Sequence, residues 1–300
     1  MKLTHVAALF ALALASAGTL AATNWSLGSS ASSTGVDCNY RSGSSGEIEI
    51  NKSTNTSAAT LAHGNTCRIQ GRDAVTGNLT AAPNDNAMVS AWSTTNQAGG
   101  TTYWEDAKLK GWLNSGFGVT NRDASSGDAN EGNSPEHAVD NDQRTDGVLY
   151  TFTQNIALQT LRLGWSSNDT DLAVFRFVGA GLPPQLSTTT AGGLISAGWE
   201  HVGNYADVGT SASLCLAGRN SNGTCKTNQA ASSWWLITAY NPTYGGNLKN
   251  TGTLNACNDY FKLLTVSGDN KVSEPAALAL AGFGLFFAVR WRRRPASVNA

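Results

Sequence analysis

The chain has 300 residues, a formal net charge of -1 and only 14% charged residues, a balance that excludes a nucleic-acid partner held by a basic surface. Hydrophobic residues at 41%, with nine Trp, exclude disorder throughout, and 32 Gly against 7 Pro suit short strands joined by turns.

In chain order, Lys2 gives a small positive start and Val6 to Ala15 an apolar run, with small residues at Ala17, Ala21 and Ala22 where cleavage fits. Residues 1–22 therefore read as a secretory signal peptide and stand apart from the fold. The remaining body, 23–272, is long enough for one large β domain. The five cysteines, in an oxidising compartment, become disulfide candidates. Proximity favours Cys38 with Cys67 and Cys215 with Cys225, the second pair closing a Gly/Asn-rich loop; Cys257 is then odd, or pairs with either member of the second set. Zinc is the competing use of the thiols, and no Cys-x-x-Cys spacing supports it.

Strands are expected at Glu47–Ile50, Ala87–Trp92, Val148–Phe152, Leu172–Val178, Trp234–Tyr240 and Tyr260–Val266, with weaker ones at Leu194–Val202 and Tyr205–Val208. Tyr103–Leu113 is mixed and reads as partly helical. Leu161, Leu163 and Trp165 alternate with Thr160, Arg162 and Gly164 and so share one face. Ser26–Gly35, Lys52–Asn65 and Ser93–Thr102 read as loops. No fixed repeat is present, and no helical period is sustained outside the termini. The fold expected is mainly β, a jelly-roll-like β-sandwich ectodomain.

The segment 120–147 holds seven of the 21 acidic residues: Asp123, Asp128, Glu131, Glu136, Asp140, Asp142 and Asp146, against Arg122 and Arg144. Crowded carboxylates repel, and a hard cation relieves that. Asp140, Asp142 and Asp146 are therefore candidate calcium ligands, the competing reading being a solvated loop closed by Asx turns; no other cofactor is expected. Asn168-Asp169-Thr170-Asp171 reads as a tight turn. The stretch 137–165 also resembles discoidin-like galactose-binding domains, in which an Ala-hydrophobic-Asp-Gly/Asn turn precedes the strands of a sandwich. That resemblance implies a jelly roll.

Catalytic patterns are missing: no Gly-x-Ser-x-Gly, His-Glu-x-x-His or phosphate-binding Gly-Lys-Ser/Thr occurs. Glu200 and His201, adjacent in a strand, point to opposite faces, and Glu105 with Asp106 is a weak carboxylate pair. The chain reads as a non-enzyme. Trp92, Trp104, Trp112, Trp165, Trp199, Trp234 and Trp235 fill a core or stack on sugars. The adjacent Trp234 and Trp235 place one ring inward and one outward, which makes them the candidate sugar platform.

The last 28 residues differ from everything before them. Ser273-Glu274-Pro275 leads into the apolar run Ala276 to Val289, then Arg290, Trp291, Arg292, Arg293 and Arg294. The run spans about 21 Å as a helix, and about 24 Å if extended to Trp291. It is apolar on all sides, which disfavours a surface helix of a soluble domain; an ordinary tail anchor or a buried helix competes. The triplet, helix and Arg-rich end resemble the PEP-CTERM sorting signal of bacterial proteins processed by an exosortase, with Ser273 where that signal has its first proline. The resemblance implies that Ser273, Glu274 and Pro275 are recognised by the exosortase, and the positive-inside tendency keeps Arg290, Arg292, Arg293 and Arg294 cytoplasmic. It also implies an inner-membrane intermediate, then the cell surface or the extracellular space. The function expected is an exported surface or extracellular-matrix protein with a structural or adhesive role among exopolysaccharides. The alternatives are a carbohydrate-binding module and, less favoured, a secreted hydrolase.

Overall fold

The computed structural model describes residues 22–27, 36–38, 40–42, 47–50, 66–80, 85–94, 102–112, 114–121, 131, 133–183 and 186–270. The signal peptide and the tail with its expected helix lie outside these residues. The chain divides at Asn270 into a body and a tail, Lys271–Ala300.

The body is built from strands. In chain order they are β1 (Thr23–Ser26), β2 (Val36–Cys38), β3 (Tyr40–Ser42), β4 (Glu47–Ile50), β5 (Thr66–Gln70) and β6 (Arg72–Asp73). Next come β7 (Asn86–Thr94), β8 (Trp104–Asp106), β9 (Lys108–Trp112), β10 (Gly116–Thr120) and β11 (Val139–Asp140). The rest are β12 (Asp146–Asn168), β13 (Leu172–Phe177), β14 (Trp199–Tyr205), β15 (Leu214–Cys215), β16 (Ser232–Ala239) and β17 (Asp259–Asn270).

The 23-residue β12 belongs to two sheets. Its first part pairs with β7 on one side and β16 on the other, Tyr150 lying opposite Val89 and Trp235. β7 continues that sheet to β8, β5 and β2, and β16 continues it to β13 and β14. Between Thr151 and Ile156 the register shifts, and from Ile156 onward β12 pairs with β17. β17 extends the second sheet to β1, β10 and β11, and β10 leads on to β9, β4 and β3. These ladders are all antiparallel, as expected where neighbours join by turns.

The two sheets pack face to face. Val148, Tyr150, Val89, Trp235 and Ile237 of the first meet Leu161, Leu163, Phe261, Leu263, Phe117 and Trp25 of the second. This is the sandwich core expected from inward-facing alternation. The first sheet buries its other face as well: Leu149, Trp234, Leu236, Phe175 and Phe177 pack under Leu186, Ala191, Leu194 and Tyr244. Single 3-10 turns at Leu186–Thr188, Ala191–Gly193 and Pro242–Tyr244 supply that cover. A strand covered on both sides has no polar face, which is why Ser232–Ala239 reads as an apolar run.

Three expectations need correction. Tyr103–Leu113 holds no helix among its described residues; β8 and β9 meet at the buried Ala107, whose N–H donates to the Ala91 carbonyl. Trp165 does not share a face with Leu163. The ladder slips at Gly164, so Leu163 pairs with Leu263 of the core while Trp165 pairs with Lys262, on the other side of β17. A Cβ on Gly164 would lie 2.5 Å from the Ser115 carbonyl oxygen, so the bulge needs glycine where the β9–β10 turn crosses it. The described part of the acidic segment is no solvated loop either. Glu136, Ala138 to Asn141 and Arg144 to Asp146 are buried, and Val139 and Asp140 pair with Phe261 and Tyr260.

Candidate functional site: two acidic clusters at the strand ends

The outer face of the second sheet is assembled from β9, β10, β11, β12 and β17. Phe261 and Leu263 point into the core, so Tyr260 and Lys262 point away from it, and Asp140 faces the same way opposite Tyr260. Lys262 is buried, with Nζ 3.6 Å from the ring centroid of Trp112 and 4.6 Å from that of Trp165. His137 stacks on Trp112 at 4.5 Å. The backbone of that segment lies so close to β10 that a Cβ on Gly118 would stand 2.2 Å from the His137 carbonyl oxygen. The Tyr260 hydroxyl donates to Asp142 Oδ2 at 3.1 Å and reaches Glu136 Oε1 at 3.4 Å.

Asp140 sits deepest, 1% exposed. Burial holds its carboxyl well above the usual carboxylate range, and the negative charges of Asp146, Glu131 and Glu136 push further in the same direction, against the Asp142 N–H that donates to Oδ1. Burial likewise raises the Tyr260 phenol, with Glu136 and Asp142 adding to it.

A second cluster forms at the turn from β12 to β13. Oxygens of Asp169, Asp171 and Asp207 all lie within 4.8 Å of one another. Asn168 ends β12 at φ 54°, a left-handed position that Asn tolerates, and the turn delivers Asp169 and Asp171 to the site. These carboxylates already bind the chain. Asp171 Oδ1 accepts from Asp207 N–H at 2.9 Å and Oδ2 from Asn255 N–H at 2.5 Å, while Asp169 accepts from Thr170 N–H and the Asn255 side chain. Asp259 joins the network, accepting from Asp171 N–H at 2.6 Å and from Asn141 Nδ2 at 2.5 Å; burial lifts its pKa to about 8. Asn141 thus links the two acidic regions. A cleft of about 400 Å³ opens beside Asp207, with Val208, Leu214, Arg219, Lys249 and Asn250 in its wall.

Of the proposed calcium ligands, Asp140 and Asp146 are buried, while the half-buried Asp142 takes the Tyr260 hydroxyl. Asp169, Asp171 and Asp207 were not expected to converge, because Asp207 comes from a distant segment after β14. A pair of Asx residues bracketing a turn was the available signal. Trp234 and Trp235 do point to opposite faces, yet both are covered, at 7% and 0% exposure, since both faces of their sheet are packed. The expected outward-facing sugar platform at this pair is therefore corrected. Glu200 and His201 also diverge: Glu200 pairs with Arg176 at 2.7 Å, and His201 stacks on Phe175 and bonds Asn204.

Cys215 and Cys225 form a disulfide with their Cα atoms 5.3 Å apart. Cys67 is disulfide-bonded, and the ladder sets Cys38 directly opposite it. Cys257 is free and exposed.

Fold and bridges together define a disulfide-bearing, mainly β body suited to the oxidising side of a membrane. A family model for the PEP-CTERM protein-sorting motif matches residues 271–294, so the chain carries this sorting signal directly after β17. The signal marks the chain for export, a transient membrane-anchored intermediate processed by an exosortase, and delivery to the cell surface or beyond it. No curated protein and no solved structure matches the chain, and the discoidin-like resemblance gains no support from them.

Proposed function

We propose that the protein is a structural or adhesive component of an exopolysaccharide matrix at the cell surface, and not an enzyme. The observation that carries this reading is the sorting motif at 271–294 following a β body that ends at Asn270. The body's polar groups support it as well. Asp171, Asp259, Asn141 and Asn255 hold segments to one another, and Glu200 and His201 are engaged by Arg176 and Asn204. By the same reading Ser273, Glu274 and Pro275 are the exosortase's recognition triplet, and the arginines after Val289 stay cytoplasmic.

The test is expression of the full chain in an exosortase-bearing host and in the same host without that enzyme, followed by matrix fractionation and mass spectrometry of the C-terminus. The expected product is a matrix-associated protein lacking its Arg-rich end, with an intact, membrane-retained form where the enzyme is missing. An intact C-terminus on surface-released protein contradicts processing. Processed protein that leaves the matrix freely contradicts the structural role.

A further inference from the structure

Four large hydrophobic side chains stand most exposed among the described residues: Val75 at 88%, Leu182 at 69%, Ile195 at 59% and Val178 at 51%. All four sit at the end of the body where β17 finishes. Asn270, its last residue, lies opposite Ile156, Ile156 lies opposite Ser232, and the Ser232 hydroxyl donates to the Phe177 carbonyl at 2.7 Å. Val178 comes next, its N–H donating to the Gly198 carbonyl at 3.0 Å, while Gly198 N–H donates to the Ile195 carbonyl at 3.1 Å. Leu182 follows in the same loop as Val178. Val75 reaches this end through β1 and β6. Thr23 lies opposite both Gly268 and Asp73, and the Asp73 carboxylate accepts from Val75 N–H at 3.0 Å.

The two loops that carry Val178, Leu182 and Ile195 hold no charge there: 178–183 reads Val-Gly-Ala-Gly-Leu-Pro and 191–198 reads Ala-Gly-Gly-Leu-Ile-Ser-Ala-Gly. Asp169, Asp171 and Asp259 occupy the opposite end, where β12 finishes against the start of β17. Single exposed apolar residues are ordinary, but four gathered at one end mark a contact surface. The partner follows from where the chain leads. The sorting signal starts at residue 271, and five residues, 271–275, separate Asn270 from the apolar run at Ala276. Fully extended they span about 16–18 Å. Membrane anchoring of the signal therefore holds this end within that distance of the lipid, whereas the acidic end lies about 36 Å away along β17.

We infer that Val75, Val178, Leu182 and Ile195 form a lipid-contacting surface on which the body rests against the bilayer while its sorting signal is uncleaved. Apolar tips on uncharged loops enter the boundary between headgroups and acyl chains, where they leave water and no charge is desolvated. The surface depends on the anchored intermediate and not on the matrix role.

The experiment reconstitutes the full chain into phosphatidylethanolamine–phosphatidylglycerol vesicles whose lipids carry a nitroxide quencher. One sample bears a thiol-reactive fluorophore on Ile195→Cys in a Cys257→Ser background. The other bears it on native Cys257, which is exposed two residues before Asp259 at the acidic end. The label at position 195 should shift to the blue and be quenched by the lipid, and the label at Cys257 should do neither. Val178→Asp combined with Leu182→Asp should abolish the quenching at position 195. If Ile195→Cys does not fold, Val75→Cys takes its place as the reporter. The inference is overturned by no quenching at the reporter, by equal quenching at both ends, or by native quenching in the double aspartate variant. It is overturned as well if the blue shift vanishes when the chains are diluted in excess lipid, which marks a second copy as the partner. A shift that needs co-reconstituted exosortase marks that enzyme instead and has the same consequence. A full chain that does not float with the vesicles overturns the anchored state itself.

Discussion

Asp259 is fully buried, and its two carboxylate oxygens accept from Asp171 N–H and Asn141 Nδ2, while its own N–H donates to Asn141 Oδ1 at 3.0 Å. One side chain thus joins β17, the β11–β12 connection and the β12–β13 turn. Asp259→Ala strands two buried donors and should destabilise the body by roughly 2–4 kcal/mol, read as a lower denaturant midpoint at unchanged slope. Gly118 works by absence. Its missing Cβ is the space into which the His137 carbonyl packs, so Gly118→Ala should cost about 1–3 kcal/mol through overpacking. A tolerated alanine there would mean that the segment carrying Glu136 and Asp140 is free to lift from β10. Trp235 combines both kinds of contact: 0% exposed, its Nε1–H reaches the Ile156 and Ser232 carbonyls at 3.1 and 3.0 Å. Its replacement by alanine should remove about 3–5 kcal/mol, the loss expected of a core aromatic and not of a sugar platform.

At the scale of elements, the Cys215–Cys225 bridge ties β15 to the far side of a loop ten residues on. The loop is also sewn down, with Arg219 donating to the Gly223 and Ser213 carbonyls and Leu216 N–H to the Gln159 carbonyl. Cys225→Ser should lower stability by about 2–3 kcal/mol, at the small-loop end of the range, with a larger shift in the native chain under reductant, which also opens the bridge at Cys67. A Tm unmoved by either change would show that the hydrogen bonds alone hold the loop. That bridge was legible in the sequence because its cysteines are near neighbours. Glu47–Ile50 and the apolar strands around Tyr150, Val174 and Leu236 were legible through alternation or through runs of apolar residues. Gly116–Thr120 was not, since Gly-Phe-Gly-Val-Thr carries too few side chains to show a period, although Phe117 and Val119 both enter the core. The face of Trp165 was hidden for a different reason: alternation assumes an unbroken ladder, and the slip at Gly164 reverses every position beyond it. The acidic segment misled by composition. Its charges suggested solvent, but pairing of Val139 and Asp140 to β17 draws the carboxylates into the body.

For the whole molecule, burying acids sets the direction of the pH response. The Asp259 carboxyl is lifted to about 8 and that of Asp171 is raised as well, burial being the largest cause for both. In the unfolded chain an aspartate titrates near ~3.9, so both groups hold protons more tightly when the chain is folded. Stability from a raised group is complete below the unfolded pKa and is lost as pH rises through the folded one. Between about pH 4 and pH 8 these residues should therefore make the fold weaker with rising pH, opposite to the trend that paired surface carboxylates produce. Asp259→Asn carries no charge at any pH, so the native-minus-variant difference in Tm should shrink steadily across that window. A difference that stays flat, or grows with pH, would show that Asp259 is ionised in the folded state. The same linkage is visible without a mutation: at pH ~6 folding should take up about one proton through Asp259, measurable as a dependence of the unfolding enthalpy on the ionisation enthalpy of the buffer.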